Sequence, residues 1–133
     1  MDGFADVAQA RKIVNLMFQQ PILSGQTVSV IYSYRFTDLD WSFTVNISPG
    51  QVRVIDGILP ESETTIETTT SVFDRLMRGK MNPAAAHVSN EARVVGSFAS
   101  AAKLRTLLPV LSKAYQAAVM QQNPSGADQT VKS

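Results

Sequence analysis

The only side chain of the sequence that ordinarily titrates near neutral pH is His87, and cysteine is absent. A histidine acts as a general acid or base only when a second group orients it at hydrogen-bond distance. The sequence shows no Ser-His-Asp pattern around it, so a surface or helix-end histidine is the favoured interpretation. Asp38, Asp40 and Asp56 lie at predicted turns and lack calcium-loop spacing. The residues therefore indicate no catalytic group, no metal site and no cofactor.

Two cationic positions have the chemistry to hold a carboxylate or a phosphate. Arg35 alternates with Tyr34 in a predicted strand, and Lys80 follows Arg78 beyond a predicted helix end. Guanidinium and ammonium groups form charge-assisted hydrogen bonds to anionic oxygens. Both positions also fit a plainer interpretation, in which Arg35 faces solvent and the cations after the helix complement its dipole.

Charge and composition narrow the class of protein. The 133 residues carry a formal net charge of +1, and the twelve basic residues are scattered. Nucleic-acid-binding proteins concentrate Lys and Arg, so a nucleic-acid partner is not expected. No N-terminal apolar run predicts a secretory signal, and no segment has the roughly 18 apolar residues of a membrane span. We expect a cytoplasmic protein with one domain, residues 1–122, and a disordered tail, residues 123–133.

The spacing of the apolar residues changes from helical to strand-like and back. The predicted elements are a helix at 4–18, strands at 28–36, 41–48, 52–56 and 64–68, helices at 71–78 and 82–89, a strand at 92–95 and a helix at 100–119. This segregation predicts an α+β fold in which helices cover one face of a five-stranded, mostly antiparallel sheet. The fifth strand joins after a helical excursion, which predicts a mixed sheet.

Several residues indicate where the helices begin and bend. Ser71 with Asp74 resembles a capping box, and Asn82 before Pro83 is typical of a helix N-terminus. Pro109 is expected to kink or restart the last helix, because proline removes one backbone hydrogen bond. We expect the half after Pro109 to pack weakly and to open as a lid, unless it docks as an ordinary terminal helix.

Two segments carry a resemblance to a known family. They are DWSFTVNISPGQVRVIDG and TTIETTTSVFDRLMRGKMNPAAAHVSNEARVVGSFASAAKLRTLL, and their most telling parts are the run from Gly79 to Pro83 and the pair Lys103-Leu104. Together they resemble the sterol carrier protein type 2 (SCP-2) family over residues 28–108. The resemblance implies an apolar tunnel between a five-stranded sheet and its helices. It also implies binding of sterols, fatty acids, fatty acyl-CoA or phospholipids, which members of the family usually bind without chemistry. The ending Val131-Lys132-Ser133 is not a peroxisomal signal.

The resemblance turns the apolar and cationic positions into candidate site residues. The plainer alternative for each apolar one is that it fills the core, although flexible Met side chains suit a surface that adapts to varied ligands. Arg35 and Lys80 become candidate headgroup contacts. The candidate lining residues are Trp41, Phe43, Val45, Phe73, Leu76, Met77, Met81, Phe98, Leu104, Leu108 and Leu111.

Three functions remain open at this point. The first is a non-catalytic carrier that holds a lipid or another apolar small molecule and passes it to an enzyme or a membrane. The second is a small enzyme on the same fold, for example a biosynthetic cyclase, which uses proximity more than acid-base groups. The third is an accessory interaction domain, including a homodimer, whose apolar strip meets another chain.

Overall fold

The computed structural model describes Phe4 and residues 6–122, and the predicted tail at 123–133 lies outside them. The expected succession of helices and strands is confirmed, with one additional short helix, α2, that begins at Pro21. The elements are α1 Val7–Phe18, α2 Pro21–Ser24, β1 Val30–Phe36, β2 Trp41–Ser48, β3 Gln51–Asp56, β4 Thr64–Thr68, α3 Thr70–Met77, α4 Pro83–Val88, β5 Ala92–Gly96 and α5 Phe98–Gln122.

The five strands form one sheet in the order β3-β2-β1-β4-β5. Three neighbouring pairs are antiparallel, and the fourth, the central strand β1 with β4, is parallel. A parallel pair needs a long crossover, which the chain between β1 and β4 supplies by way of β2 and β3. The predicted α+β fold with a mixed, mostly antiparallel sheet is therefore confirmed. Its two edges are β3 and β5.

Alternation along β1 decides which side chains meet the helices. Tyr34 and Phe36 are buried towards the helices, whereas Arg35 between them is exposed on the opposite face. Phe73 of α3 packs against this inner face, with ring centroids 5.1 Å from Tyr34 and 5.4 Å from Tyr115 of α5. The core is thus a layer of aromatic rings between the middle of the sheet and two helices.

The helix starts agree with the sequence patterns at α4 and differ at α3. Asn82 caps α4, because its Oδ1 accepts hydrogen bonds from the backbone N–H of Ala84 at 2.8 Å and of Ala85 at 3.3 Å. At α3 the cap is Thr69, whose hydroxyl accepts from the N–H of Val72 at 3.2 Å. The predicted capping box at Ser71 is therefore wrong, because its acidic member, Asp74, is buried and binds other partners.

That acidic member, Asp74, is buried and joins α3 to α5. Arg78 donates from Nε to both of its oxygens, at 2.9 and 3.0 Å, and the hydroxyl of Tyr115 donates to Oδ1 at 2.5 Å. Burial, reinforced by the bond to Asp74, raises the pKa of Tyr115, and the same carboxylate raises the pKa of Arg78. A buried carboxylate needs such partners, so the network holds the two helices at a fixed separation.

The last helix, α5, is continuous through Pro109 and does not restart there. Ser97 caps it in place of the expected Ser100, since the Oγ of Ser97 accepts from the N–H of Ser100 at 3.2 Å. The half after Pro109 buries Tyr115 and Ala118, and α5 as a whole packs along α1. Of the two alternatives that the sequence left open, this packing favours the ordinary docked helix over the lid. The first half is the more exposed one. Within the described residues, no helix has both the length and the apolar character to cross a membrane.

Candidate ligand-binding cavity

A cavity of about 320 Å³ lies between the inner face of the sheet and the helices α3, α4 and α5. Strands β1, β4 and β5 form its floor, and β5 is also an edge of the sheet. The strand residues that line it are Tyr34, Thr64, Ile66, Ala92, Val94 and Gly96. The helix residues that line it are Leu76, Met77, His87, Phe98, Ala101, Leu104, Arg105, Leu108 and Leu111.

Side-chain size across the sheet explains why the hollow forms where it does. Residues that pair across neighbouring strands share a face, so the inner face can be followed in rows. One row runs from Tyr34 to Ile66 to Val94, and the next from Phe36 to Thr68 to Ala92. We call β1 and β2 the aromatic half of the sheet, because their inner face carries the rings of Tyr32, Tyr34, Phe36, Trp41 and Phe43. We call β4 and β5 the open half, because the side chains on their inner face are shorter: Thr64, Ile66, Thr68, Ala92, Val94 and Gly96. The helices cannot close onto both halves equally, which leaves a void above the open half.

Gly96 is required at the end of the open half. Its φ is +122°, and a Cβ there would lie 2.4 Å from the carbonyl oxygen of Glu63. No other residue fits this approach without moving the backbone. Next to it, the hydroxyl of Thr64 donates to the carbonyl of Ser97 at 3.0 Å, which joins β4 to the start of α5. At this end of the cavity, therefore, no side chain rises from Gly96 into the space, and β4 is hydrogen-bonded to the start of α5.

The roof is one face of α5. Phe98, Ala101, Leu104, Leu108 and Leu111 recur at intervals of three and four residues, the spacing of a single helix face. Leu104 and Leu111 are buried, whereas Phe98 is 93% exposed although it also lines the cavity. A residue that both lines the hollow and faces solvent marks its mouth, which therefore lies at the start of α5 beside the β5 edge.

Few polar groups reach this cavity. Arg105 and His87 line it from α5 and α4, and within the described residues neither forms an ion pair or a side-chain hydrogen bond. Tyr34 lines it from the floor, and burial raises the pKa of its hydroxyl far above the ordinary value. Arg105 is exposed, so its guanidinium can reach a group at the mouth. The arrangement suits an apolar body with one anionic end.

The structure brings together six of the eleven predicted lining residues and leaves five elsewhere. Those at the cavity are Leu76, Met77, Phe98, Leu104, Leu108 and Leu111. Trp41, Phe43 and Val45 lie on β2, which β1 separates from β4, and Trp41 stacks on Phe43 at 5.0 Å. Phe73 fills the space between β1 and α5, and Met81 lies half-buried in the connection between α3 and α4. The first four are core residues because the aromatic half is packed, and Met81 is a connecting residue.

The two predicted headgroup contacts also lie away from the cavity. Arg35 is on the opposite face of the sheet, where its Nε is 3.5 Å from Glu67 Oε2. Lys80 is exposed in the turn after α3. The residue in a position to make such a contact is Arg105, and a sequence clue was present, since it lies seven residues after Phe98 on the same helix face. The small residues of the floor could not be recognised from the sequence, because a cavity forms where large side chains are absent.

Comparison with known proteins agrees with this architecture. The SCP-2 sterol transfer family matches residues 25–109. A search of curated proteins found no match. The sterol carrier protein domain 2 of Helicoverpa armigera superposes with a TM-score of 0.64 at 18% identity, covering 85% of this chain and 95% of that one. Sterol carrier protein 2 of Aedes aegypti, solved in complex with palmitate, gives 0.54 at 14% identity, covering 76% and 88%.

A larger enzyme contains a similar fold. The sec-alkylsulfatase Pisa1 from Pseudomonas sp. gives a TM-score of 0.52 at 16% identity, and the match covers 56% of this chain. The present chain spans only 12–13% of the length of that sulfatase. Likeness at these identities shows the fold alone, whereas the family match extends over more than half of the sequence. This chain therefore belongs to the SCP-2 sterol transfer family.

Proposed function

We propose that this protein binds one apolar, lipid-type ligand in the cavity and carries it without changing it. The observation that carries the proposal is the hollow itself, about 320 Å³ between the sheet and α5 and lined mainly by apolar side chains. Small-molecule pockets typically measure about 300–1,000 Å³, so this one is at the lower end. That size favours a single alkyl chain over a two-chain phospholipid.

The mouth favours a ligand with an anionic end, such as a fatty acid or its CoA thioester. Burying about ten methylenes gains on the order of 8 kcal/mol. Association costs at least about 4 kcal/mol, so burial alone leaves weak binding. A charge-assisted hydrogen bond contributes about 1.5–3 kcal/mol more, and Arg105 is placed to donate one. The palmitate complex of the Aedes aegypti relative supports this class of ligand.

A carrier role is favoured over catalysis by the surroundings of the titratable groups. His87 is exposed, and no described residue forms a side-chain hydrogen bond with it. No carboxylate is among the described lining residues. General acid-base catalysis needs an oriented partner, and this cavity offers a histidine without one. We infer that the ligand is released chemically unchanged to an enzyme or a membrane that accepts it.

The experiment that tests this proposal fills the hollow. Leu108 lines the cavity, so Leu108→Trp should lower the affinity for fluorescently labelled palmitate at least about tenfold, because an indole occupies the space of the alkyl chain. Val110→Trp is the matched control: Val110 is half-buried on the same helix and does not line the cavity. Circular dichroism checks that both variants fold, and titration measures binding.

Two outcomes would contradict the proposal. Equal binding by both tryptophan variants would show that the ligand lies elsewhere. Conversion of bound palmitate or palmitoyl-CoA to a new species, observed by mass spectrometry, would show an enzyme. In the same titration, unlabelled palmitate should displace the probe better than hexadecanol does. Equal displacement would remove the role of Arg105 while leaving the cavity site in place.

A further inference from the structure

The rim of the cavity is marked by its exposed lining residues. His87, Gly96, Phe98 and Arg105 are exposed, whereas the other lining residues are buried or half-buried. Gly96 and Phe98 lie where β5 passes into α5, and His87 belongs to the last turn of α4. Arg105 lies about two turns further along α5 than Phe98. Each of the two helices that border the rim therefore contributes one nitrogen-bearing side chain, His87 from α4 and Arg105 from α5.

These two side chains have no partner within the part of the chain that the structure describes. Neither His87 nor Arg105 forms an ion pair or a side-chain hydrogen bond there. By contrast, Lys103, two residues before Arg105, donates from Nζ to the backbone carbonyl of Ser29 at 3.0 Å. An arginine and a histidine that line one small hollow and satisfy no acceptor of the protein are available to an acceptor on the ligand.

Two carboxylates near the rim accept hydrogen bonds from serine hydroxyls. Glu63 accepts from Ser100, and Glu91 accepts from Ser89 at 2.7 Å. Neither α5 nor the stretch 75–90 contains an Asp or Glu. The guanidinium at the rim is therefore not neutralised by a carboxylate of the described residues, and an anionic end of the ligand is its complement.

The two donors together distinguish one kind of anionic end from another. A carboxylate has two oxygens, and a single guanidinium binds both of them, so a fatty acid held by Arg105 leaves His87 without an acceptor. A phosphate monoester carries a charge of about −1.5 to −2 at pH 7 and has three strong acceptor oxygens. An imidazole donates from one ring nitrogen when neutral and from both when protonated, and a nearby anion favours the protonated form. A phosphate can therefore accept from both side chains.

We propose that His87 and Arg105 form a phosphate site at the mouth of the cavity, and that the preferred ligand is a single-chain lipid ending in a phosphate monoester. This inference rests on the proposed function, because the alkyl chain must fill the cavity for the phosphate to lie at the rim. Alkyl phosphates and lysophosphatidates share this end group. In an acyl-CoA the pantetheine arm separates the phosphates from the chain, so they lie beyond the two side chains.

Displacement of fluorescently labelled palmitate from the full chain tests the proposal. Hexadecyl phosphate should displace the probe about tenfold better than palmitate, because it gains a second charge-assisted hydrogen bond. We call this ratio the phosphate preference. Palmitoyl lysophosphatidate is titrated alongside, and the better displacer of the two phosphates identifies which kind of lipid the site takes. Palmitoyl-CoA is the control for phosphates that lie far from the chain.

Two pairs of variants assign the preference to the rim. His87→Ala should reduce the phosphate preference to less than about threefold, and Arg105→Gln should weaken the binding of both palmitate and hexadecyl phosphate. Val88→Ala is the matched control for the first, since Val88 is 82% exposed on the same helix and does not line the cavity. Lys113→Gln is the control for the second, because it removes the same charge from an exposed position of α5 outside the lining. Circular dichroism checks that all four fold.

A spectroscopic measurement detects the contact directly. His87 is the only histidine of the sequence, so its imidazole signals are identified in an NMR spectrum without further assignment. Hexadecyl phosphate should shift these signals strongly. Hexadecanol, which has the same chain and no phosphate, should shift them much less. Equal shifts with both compounds would mean that the imidazole senses the filled cavity and not the headgroup.

Other results would also overturn the proposal. Equal displacement by hexadecyl phosphate and palmitate would remove the phosphate preference, and an unchanged preference in His87→Ala would remove the role of His87. An equal loss in Val88→Ala or Lys113→Gln would show an unspecific effect. Dependence of palmitoyl-CoA binding on His87 would mean that a phosphate of CoA is recognised instead. In each case displacement by palmitate and its loss in Leu108→Trp still test the cavity itself, so the two proposals fail separately.

Discussion

Two halves of the same sheet differ in what stands above them. Over β1 and β2, the rings of Tyr34, Phe36 and Phe43 lie 5.5–6.1 Å apart and Phe73 closes the layer from α3. Over β4 and β5, the floor is built from short side chains and a cavity of about 320 Å³ remains. Both halves share one backbone and one set of helices. The difference shows that the cavity forms where one side of a packed layer has small side chains in place of rings.

The two halves also make opposite demands on their side chains. Protein interiors are normally packed as densely as organic crystals, so the aromatic half does what stability requires. The open half gives up contacts that the same helices would otherwise make. Asp74, with Arg78 and Tyr115, ties α3 to α5 through buried hydrogen bonds. The strands β1 and β2 thus contribute the dense packing that stabilises the fold, and β4 and β5 leave the space of the cavity.

The largest expected contrast is in the loss of large side chains. Phe36→Ala should lower the free energy of unfolding by about 3–5 kcal/mol, because Phe36 is fully buried among five other rings. Leu108→Ala, measured on protein freed of lipid, should cost less than about 2 kcal/mol, since Leu108 already borders a void. Urea unfolding of both variants measures the difference. Similar losses would mean that the open half is packed in solution.

A smaller contrast is expected when bulk is added on a single helix. Ala114 is buried against the core, so Ala114→Leu should cost about 1–3 kcal/mol by overpacking. Ala101 lines the cavity, so Ala101→Leu should be neutral or stabilise by up to about 1 kcal/mol. The same Ala101→Leu variant should take up less palmitate. Thermal unfolding and a binding titration check the pair, and destabilisation by both would refute the assignment of the halves.

The sequence predicted the helices and strands better than it predicted the position of the cavity. Local alternation from Trp41 to Ser48 and the Asn82 cap depend on neighbours in the chain, and the structure confirms both. The parallel pairing of Tyr34 with Ile66 does not, since it joins segments about thirty residues apart. That pairing decides which inner-facing residues share a row. Without it, the largest aromatic residues were the natural candidates for a cavity lining, although they are the ones that fill the core.

The same cause explains why the sequence pointed to Arg35 and Lys80 and not to Arg105. Strand alternation placed Arg35 opposite the tyrosines, and the structure agrees, but only the sheet order shows that the cavity lies on the tyrosine side. Arg105 belongs to a helix face whose apolar members were recognised one by one. The sequence left open whether the half of α5 after Pro109 docks or opens, because α1, against which α5 packs, is distant in sequence. Sequence patterns predict which residues share a face of one helix or strand, but they do not predict which elements pack against each other.

The smallest expected contrast concerns two buried tyrosine hydroxyls. Tyr32 is fully buried on β1, and its hydroxyl has no hydrogen-bond partner in the part of the chain that the structure describes. Tyr115 donates its hydroxyl to Asp74. An unpaired buried hydroxyl costs roughly 1 kcal/mol or more, so Tyr32→Phe should raise the free energy of unfolding by about 1 kcal/mol at pH 7. Tyr115→Phe should lower it, because Asp74 loses a donor.

The pH dependence sharpens this last pair. Burial raises the pKa of Tyr32 well above 10, and the neighbouring Tyr34 raises it further. Because the folded state favours the neutral phenol, its contribution to stability is fully present below pH 10 and is lost as the pH rises through and beyond that value. Tyr32→Phe removes this loss, so its advantage over the unaltered protein should grow above pH 10. Urea unfolding at pH 7 and pH 10.5 measures it, and a constant advantage would mean that Tyr32 finds a partner or reaches water.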